Sequence, residues 1–161
     1  MSDPMALRPL TVDMDKILDA IAAYGDAPYS FMDRETGEIR IRFADDLGQE
    51  PEFDPDDPRW EEIPRCEPED AHRDMERFVD AIEERDVQRL FLRALEGKGS
   101  FRRFRDELHR YPDLRARWEQ FKQQANLERA LAWLESLGTE PRYTLRQVVA
   151  PTPPAAPKPN I

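Results

Sequence analysis

Between Pro68 and Gly138 the large apolar residues recur every three or four positions almost without pause. Met75, Phe78, Val79 and Ile82 form one stripe, and Val87, Leu90, Phe91, Ala94 and Leu95 a second. Phe101, Phe104 and Leu108 follow, then Leu114, Trp118, Phe121, Ala125, Leu131, Trp133, Leu134 and Leu137. That spacing is one face of an α-helix, so the segment is predicted to form about four amphipathic helices sharing one core. The breaks are local. One falls near Arg85, one at Gly97 and Gly99, and one at Pro112, which can open a helix because its missing N–H is not needed there. Gly138 and Pro141 stop the last helix, and Asn126 and Leu127 fall off its stripe, so an interruption is expected at that point. With 36% of residues charged, the faces opposite the stripes must be densely ionic.

The first part of the chain has a different rhythm. Asp13 precedes Met14, Ile17, Leu18 and Ile21, which predicts a capped helix over about Asp13 to Tyr24, ended by Gly25 and Pro28. The period then drops to two. Tyr29 and Phe31 alternate, Asp33 to Gly37 supply turn residues, and Ile39, Ile41 and Phe43 alternate with Glu38, Arg40 and Arg42, which reads as a hairpin with one wet face. A hairpin alone is marginal in water, so Arg59 to Arg65 is expected to add a third, edge strand. From Asp45 to Asp57 the chain holds seven acids and no base, broken by Gly48, Pro51 and Pro55, and is expected as an exposed loop.

These elements predict an α+β fold, mainly helical: an N-terminal helix and small antiparallel sheet, then a C-terminal bundle. Residues 10–138 are expected to form a single domain, with 10–66 its helix-and-hairpin part and 67–138 its helical part. A split near Pro68 would leave two units each short of core. From Thr139 to Ile161 six prolines accompany few large apolar residues, so this tail is expected to be disordered.

Charge and composition then limit function. A net charge of −10 sets the whole molecule against polyanions. One cysteine, Cys66, permits neither an internal disulfide nor a cysteine-based zinc cluster. No apolar run reaches the roughly 18 residues of a membrane span, and Met1 to Leu10 lacks the pattern of a signal peptide, so a cytoplasmic protein with no membrane partner is expected. The residues call for no cofactor and no metal: no window from Asp45 to Glu62 carries the glycine and twelfth-position glutamate of a calcium loop.

Three motifs bear on chemistry. Gly97-Lys98-Gly99-Ser100 lacks the earlier glycine of a phosphate loop, since Leu92 stands there, and reads as a left-handed helix end followed by a Ser100 cap. Lys98, Arg102, Arg103, Arg105, Arg110, Arg115, Arg117 and Lys122 make the segment 98–122 basic within an acidic chain; Lys98, Arg102, Arg103 and Arg110 are the candidate anion- or partner-binding residues. Pairing within the molecule is the simpler use of these charges. His72 and His109 are the only histidines and Cys66 the only thiol, Cys66 with His72 matches no known arrangement, and choosing a carboxylate pair among 34 acids would be arbitrary, so no catalytic residue is assigned.

The run Gly97-Lys98-Gly99-Ser100-Phe101-Arg102-Arg103-Phe104, with Trp118, Ala132-Trp133-Leu134, the hairpin residues Asp33, Thr36 and Gly37, and Ile63-Pro64, resembles the bacterial uncharacterised protein family 0158 over about Leu10 to Leu137. Ser100 departs from the alanine usual at that position there. The resemblance implies a cellular bacterial protein without an established activity, and it transfers no site residue. The reading that follows is a non-enzymatic interaction or regulatory module whose partner is another protein. A nucleic-acid-associated factor using 98–122 is the alternative, opposed by net charge, and a hydrolase in which His72 or His109 meets a carboxylate is the third.

Overall fold

A computed structural model describes residues 6–43, 54 and 56–146. Most of the acidic stretch 45–57 and the tail beyond Arg146 lie outside the described residues. The elements run β1 (Arg8–Thr11), α1 (Met14–Ala22), β2 (Tyr29–Asp33), β3 (Ile39–Arg42), β4 (Trp60–Glu62), α2 (Pro68–Asp80), α3 (Arg85–Ala94), α4 (Ser100–Arg110), α5 (Pro112–Ser136) and β5 (Thr139–Arg142). The protein is thus α+β and mainly helical. Its contacts divide the described residues into two compact units, one of those up to Cys66 with 126–146, the other of Glu67–Ala125.

In the first unit, the Asp13 side chain accepts from the Lys16 amide at 3.2 Å and caps α1. Met14, Ile17 and Ile21 of α1 are buried with Met32 of β2, Ile63, and Ala130 and Leu134 of α5. Each of the methionine, isoleucine and leucine side chains stabilises the fold by about 1.5–3 kcal/mol through burial. The antiparallel sheet has the order β3-β2-β4, with Met32 opposite Ile39 and Asp33 opposite Trp60. Ile39 lies over the core, but Ile41 and Phe43, on the same face, are 56% and 53% exposed. The hairpin therefore outruns the core that covers its apolar side.

Two strands depart from the sequence reading. Thr139–Arg142, expected within the disordered tail, forms β5 and pairs in parallel with β1, Leu10 opposite Pro141. The prolines are tolerated because a two-stranded pair leaves each strand an outer edge needing no amide donor. Thr139 and Leu10 are buried, so the pair adds to the core rather than trailing from it.

In the second unit, Pro68 opens α2 and Gly97 and Gly99, at φ of 68° and 79°, turn the chain between α3 and α4. Ser100 is not the cap: Gly99 holds that position, and Ser100 is a buried first helical residue. The core is aromatic. Phe104 lies 4.9 Å from Trp118 and 5.6 Å from Phe91 between ring centroids, and Phe78 lies 5.3 Å from Trp118, all edge-to-face. Such pairs add about 0.5–1.5 kcal/mol each beyond burial.

The stripes after Pro68 do not share one core. α5 is unbroken at Asn126, but Leu114, Trp118 and Phe121 pack in the second unit, whereas Leu127, Ala130, Leu131 and Leu134 pack in the first. At 100° per residue the apolar spacing restarts about half a turn out of phase between Ala125 and Leu127. The shift that suggested a break in the helix is a change of the side that is buried.

Candidate functional site

The basic residues of α4 and the turn before it have two different fates. Arg103 folds back on the end of α3: its Nε donates to the Ala94 carbonyl at 3.1 Å, and its two terminal nitrogens donate to the carbonyls of Lys98 and Glu96. The Ala94 carbonyl is an orphan acceptor at the C-terminus of α3 and the other two lie in the turn beyond it, where a guanidinium supplies both donors and positive charge. By contrast, the exposed side chains of Lys98, Arg102, Arg105 and Arg110 carry no hydrogen bond or ion pair among the described residues. Phe101, between Lys98 and Arg102 in the chain, is 42% exposed and meets the His72 ring edge-on at 6.2 Å.

The histidines are separately placed. His72 Nδ1 lies 2.9 Å from Glu76 Oε1, one helical turn along α2, and its Nε2 lies 3.3 Å from the Leu95 carbonyl. A carboxylate is thus within reach, yet the pair is a helix-surface contact outside the hollow beside His109 and the one beside Arg59. His109 is exposed, with Arg115 Nη1 3.5 Å from its Nδ1, and the two line a shallow hollow with Pro112, Ala116 and Glu119. Cys66 is half-buried beside the first core, and its amide donates to the Ile21 carbonyl at 2.8 Å.

A second constellation, unmarked in the sequence, occupies the first unit. Asp33, at the end of β2, is fully buried. Its Oδ1 accepts from the amides of Glu35 at 2.8 Å and Thr36 at 3.3 Å, closing the hairpin turn, while Oδ2 takes Arg59 Nε at 2.6 Å. Burial opposes the charge on Asp33, but the Glu35 amide, the Arg59 guanidinium and the Thr36 groups outweigh it and hold the carboxyl below its usual range. The bond to Asp33 in turn raises the affinity of Arg59 for its proton. Arg59 with Arg8, Arg34, Glu35, Asp57, Pro58 and the turn Leu137–Thr139 lines a hollow of ≈ 500 Å³.

Three segments distant in sequence meet there only because β1 pairs with β5 and β4 with β2. Asp33 was recognisable as a turn residue. Arg8, Arg34 and Arg59 had no local signal, since nothing in their neighbourhoods reports the pairing that gathers them.

Fold and geometry define a mainly helical α+β protein in which no helix among the described residues is long and apolar enough to cross a membrane. The chain belongs to an uncharacterised protein family (UPF0158), whose model matches residues 7–148. The match takes in both strands of the parallel pair. No curated protein and no solved structure matches the chain.

Proposed function

We propose that this protein is an interaction module that binds an acidic protein segment through the exposed start of α4. The observation that carries the reading is the contrast within one basic run: Arg103 is consumed in the fold, while Lys98 and Arg102, which flank the exposed Phe101 in the chain, and Arg110 at the far end of α4 make no side-chain hydrogen bond or ion pair among the described residues. An aromatic ring with flanking cations suits a partner that offers both carboxylates and an apolar side chain. A long anion of uniform charge suits it less, because the rest of a chain of net charge −10 repels a polyphosphate backbone.

The test is capture from an extract of the native cell with the full chain immobilised, with and without nuclease, against a Phe101→Ser, Arg102→Glu double variant. Polypeptides retained after nuclease and lost with the double variant support the reading. Retention that disappears with nuclease and falls steeply with salt moves the assignment to nucleic acid. Equal capture by both proteins rejects the surface.

A further inference from the structure

We propose that the hollow formed by Arg8, Arg34 and Arg59 in the first unit binds a small hydroxylated phosphate ester, such as a sugar phosphate or mononucleotide. Three guanidinium groups are always charged, and gathering them in one hollow is unfavourable unless anions neutralise them. The protein sets four carboxylates about them, Asp33, Glu35, Asp57 and Glu61, but distributes them unevenly. Arg59 has Asp33 at 2.6 Å and Glu35 at 3.7 Å, and Arg34 has Glu61 at 3.6 Å. Arg8 has no carboxylate within 4.0 Å among the described residues. Its Nη2 is instead fixed by the carbonyls of Arg34 at 2.8 Å and Glu35 at 2.9 Å. The result is an oriented cation without an ion-pair partner among the described residues.

Donors remain on all three arginines. Among the described residues Arg8 engages only Nη2, leaving Nη1 and Nε. Arg59 has engaged Nε with Asp33 and, at long range, Nη1 with Glu35, leaving Nη2. Among the described residues the Arg34 side chain makes only long contacts, 3.4 Å to the Leu137 carbonyl and 3.6 Å to Glu61. Forked guanidinium donors match the oxygens of a phosphate. The two acids on the wall set what surrounds that phosphate. Asp57 Oδ1 accepts from the Arg59 amide at 3.0 Å, and the remaining oxygens of Asp57 and Glu35 are acceptors suited to hydroxyl donors. A continuous polyphosphate would meet these carboxylates unfavourably, whereas one phosphate beside a diol would satisfy both kinds of group. At ≈ 500 Å³ the hollow exceeds a bare phosphate ion and falls in the size range of small-molecule sites.

The experiment is a calorimetric titration of the full chain with ribose 5-phosphate, inorganic phosphate and ribose, paired with nuclear magnetic resonance of the arginine Nε–Hε groups. Ribose 5-phosphate is expected to bind, inorganic phosphate about ten-fold more weakly, and ribose not measurably. The Nε–Hε signals that move should be those of Arg8, Arg34 and Arg59. Arg8→Met should weaken the ester about ten-fold or more, and Glu35→Gln should weaken the ester but not inorganic phosphate. The wild-type resonance shifts decide the site even if Arg8→Met fails to fold. No binding of ribose 5-phosphate at ~10 mM overturns the proposal, as do shifts confined to Arg102, Arg105 and Arg110 or ester binding no tighter than that of phosphate.

Discussion

Gly37 offers the sharpest test of how the first unit is held together. It ends the turn between β2 and β3 at φ 79°, with its amide donating to the Asp33 carbonyl at 2.8 Å. A β-carbon at this position would lie 2.2 Å from the Thr11 carbonyl oxygen and 3.3 Å from its carbon. An ordinary carbon–oxygen approach is about 3.3 Å, so Gly37→Ala requires a movement of roughly 1 Å. The obstacle is backbone. Thr11 is held in β1, opposite Arg142 of β5, so no side-chain rotation relieves the contact.

Two costs combine. Placing a residue with a β-carbon in the left-handed region costs roughly 1–2 kcal/mol. Forcing apart a packed contact costs roughly 1–3 kcal/mol more, for a total of about 2–5 kcal/mol. Gly25→Ala separates the two, because Gly25 has φ 63° but nothing within 4 Å of the added carbon. It should lose only the conformational part, about 1–2 kcal/mol. Urea unfolding followed by far-ultraviolet circular dichroism measures both variants, and a chain of this size should lose roughly 2–4 °C in Tm per kcal/mol. If the two variants agree within ~0.5 kcal/mol, the close approach of the hairpin turn to β1 is wrong.

Asp33→Asn should lower stability by about 1–3 kcal/mol at neutral pH, since the buried acceptor loses its charge. The wild-type carboxyl is held below its ordinary range, so the unfolded chain takes up a proton there first; its contribution is complete above the unfolded value and disappears as pH falls through the folded one. Urea midpoints from pH 7 to 3 should therefore show the wild-type and Asp33→Asn curves converging, and parallel curves would contradict the assignment. Phe104→Ala, which removes a ring touching Phe78, Phe91 and Trp118, should cost about 3–5 kcal/mol and be read from the same unfolding curves. Arg103→Ala should destabilise by about 1 kcal/mol or more, whereas Arg102→Ala should stay within about 0.5 kcal/mol of the parent in the same assay.

The helices were legible because their signal is local. Period, capping residue and breaker all lie within one helix length, as with Asp13 before Met14 or Pro68 at the start of α2. The hairpin was legible for the same reason, and its third strand from the need of a lone hairpin for a further element. β1 and β5 were not: each is four residues long, each contains a proline, and their pairing joins the two ends of the fold. Composition reads Thr139–Arg142 as the start of a tail because nothing within it reports that Leu10 and Thr139 will be buried. The shift of phase in α5 was visible at Asn126 and Leu127, but one stripe cannot say whether the helix breaks or changes its buried side.

The same distinction separates the arginines. Sequence weighs Arg102 and Arg103 alike, as neighbours in one basic run, and helical geometry says only that they point in different directions. What sets Arg103 apart is the turn before it. Gly97 and Gly99, both left-handed, swing the end of α3 beside the start of α4, bringing the carbonyls of Ala94, Glu96 and Lys98 within reach of one guanidinium. A β-carbon on Gly99 would stand 3.1 Å from Arg103 Nη1, so the glycine serves the arginine as well as the backbone. The distinctive glycine–arginine run is thereby accounted for as a helix-to-helix joint, one that leaves the exposed side chains of Lys98, Phe101, Arg102 and Arg110 outside it.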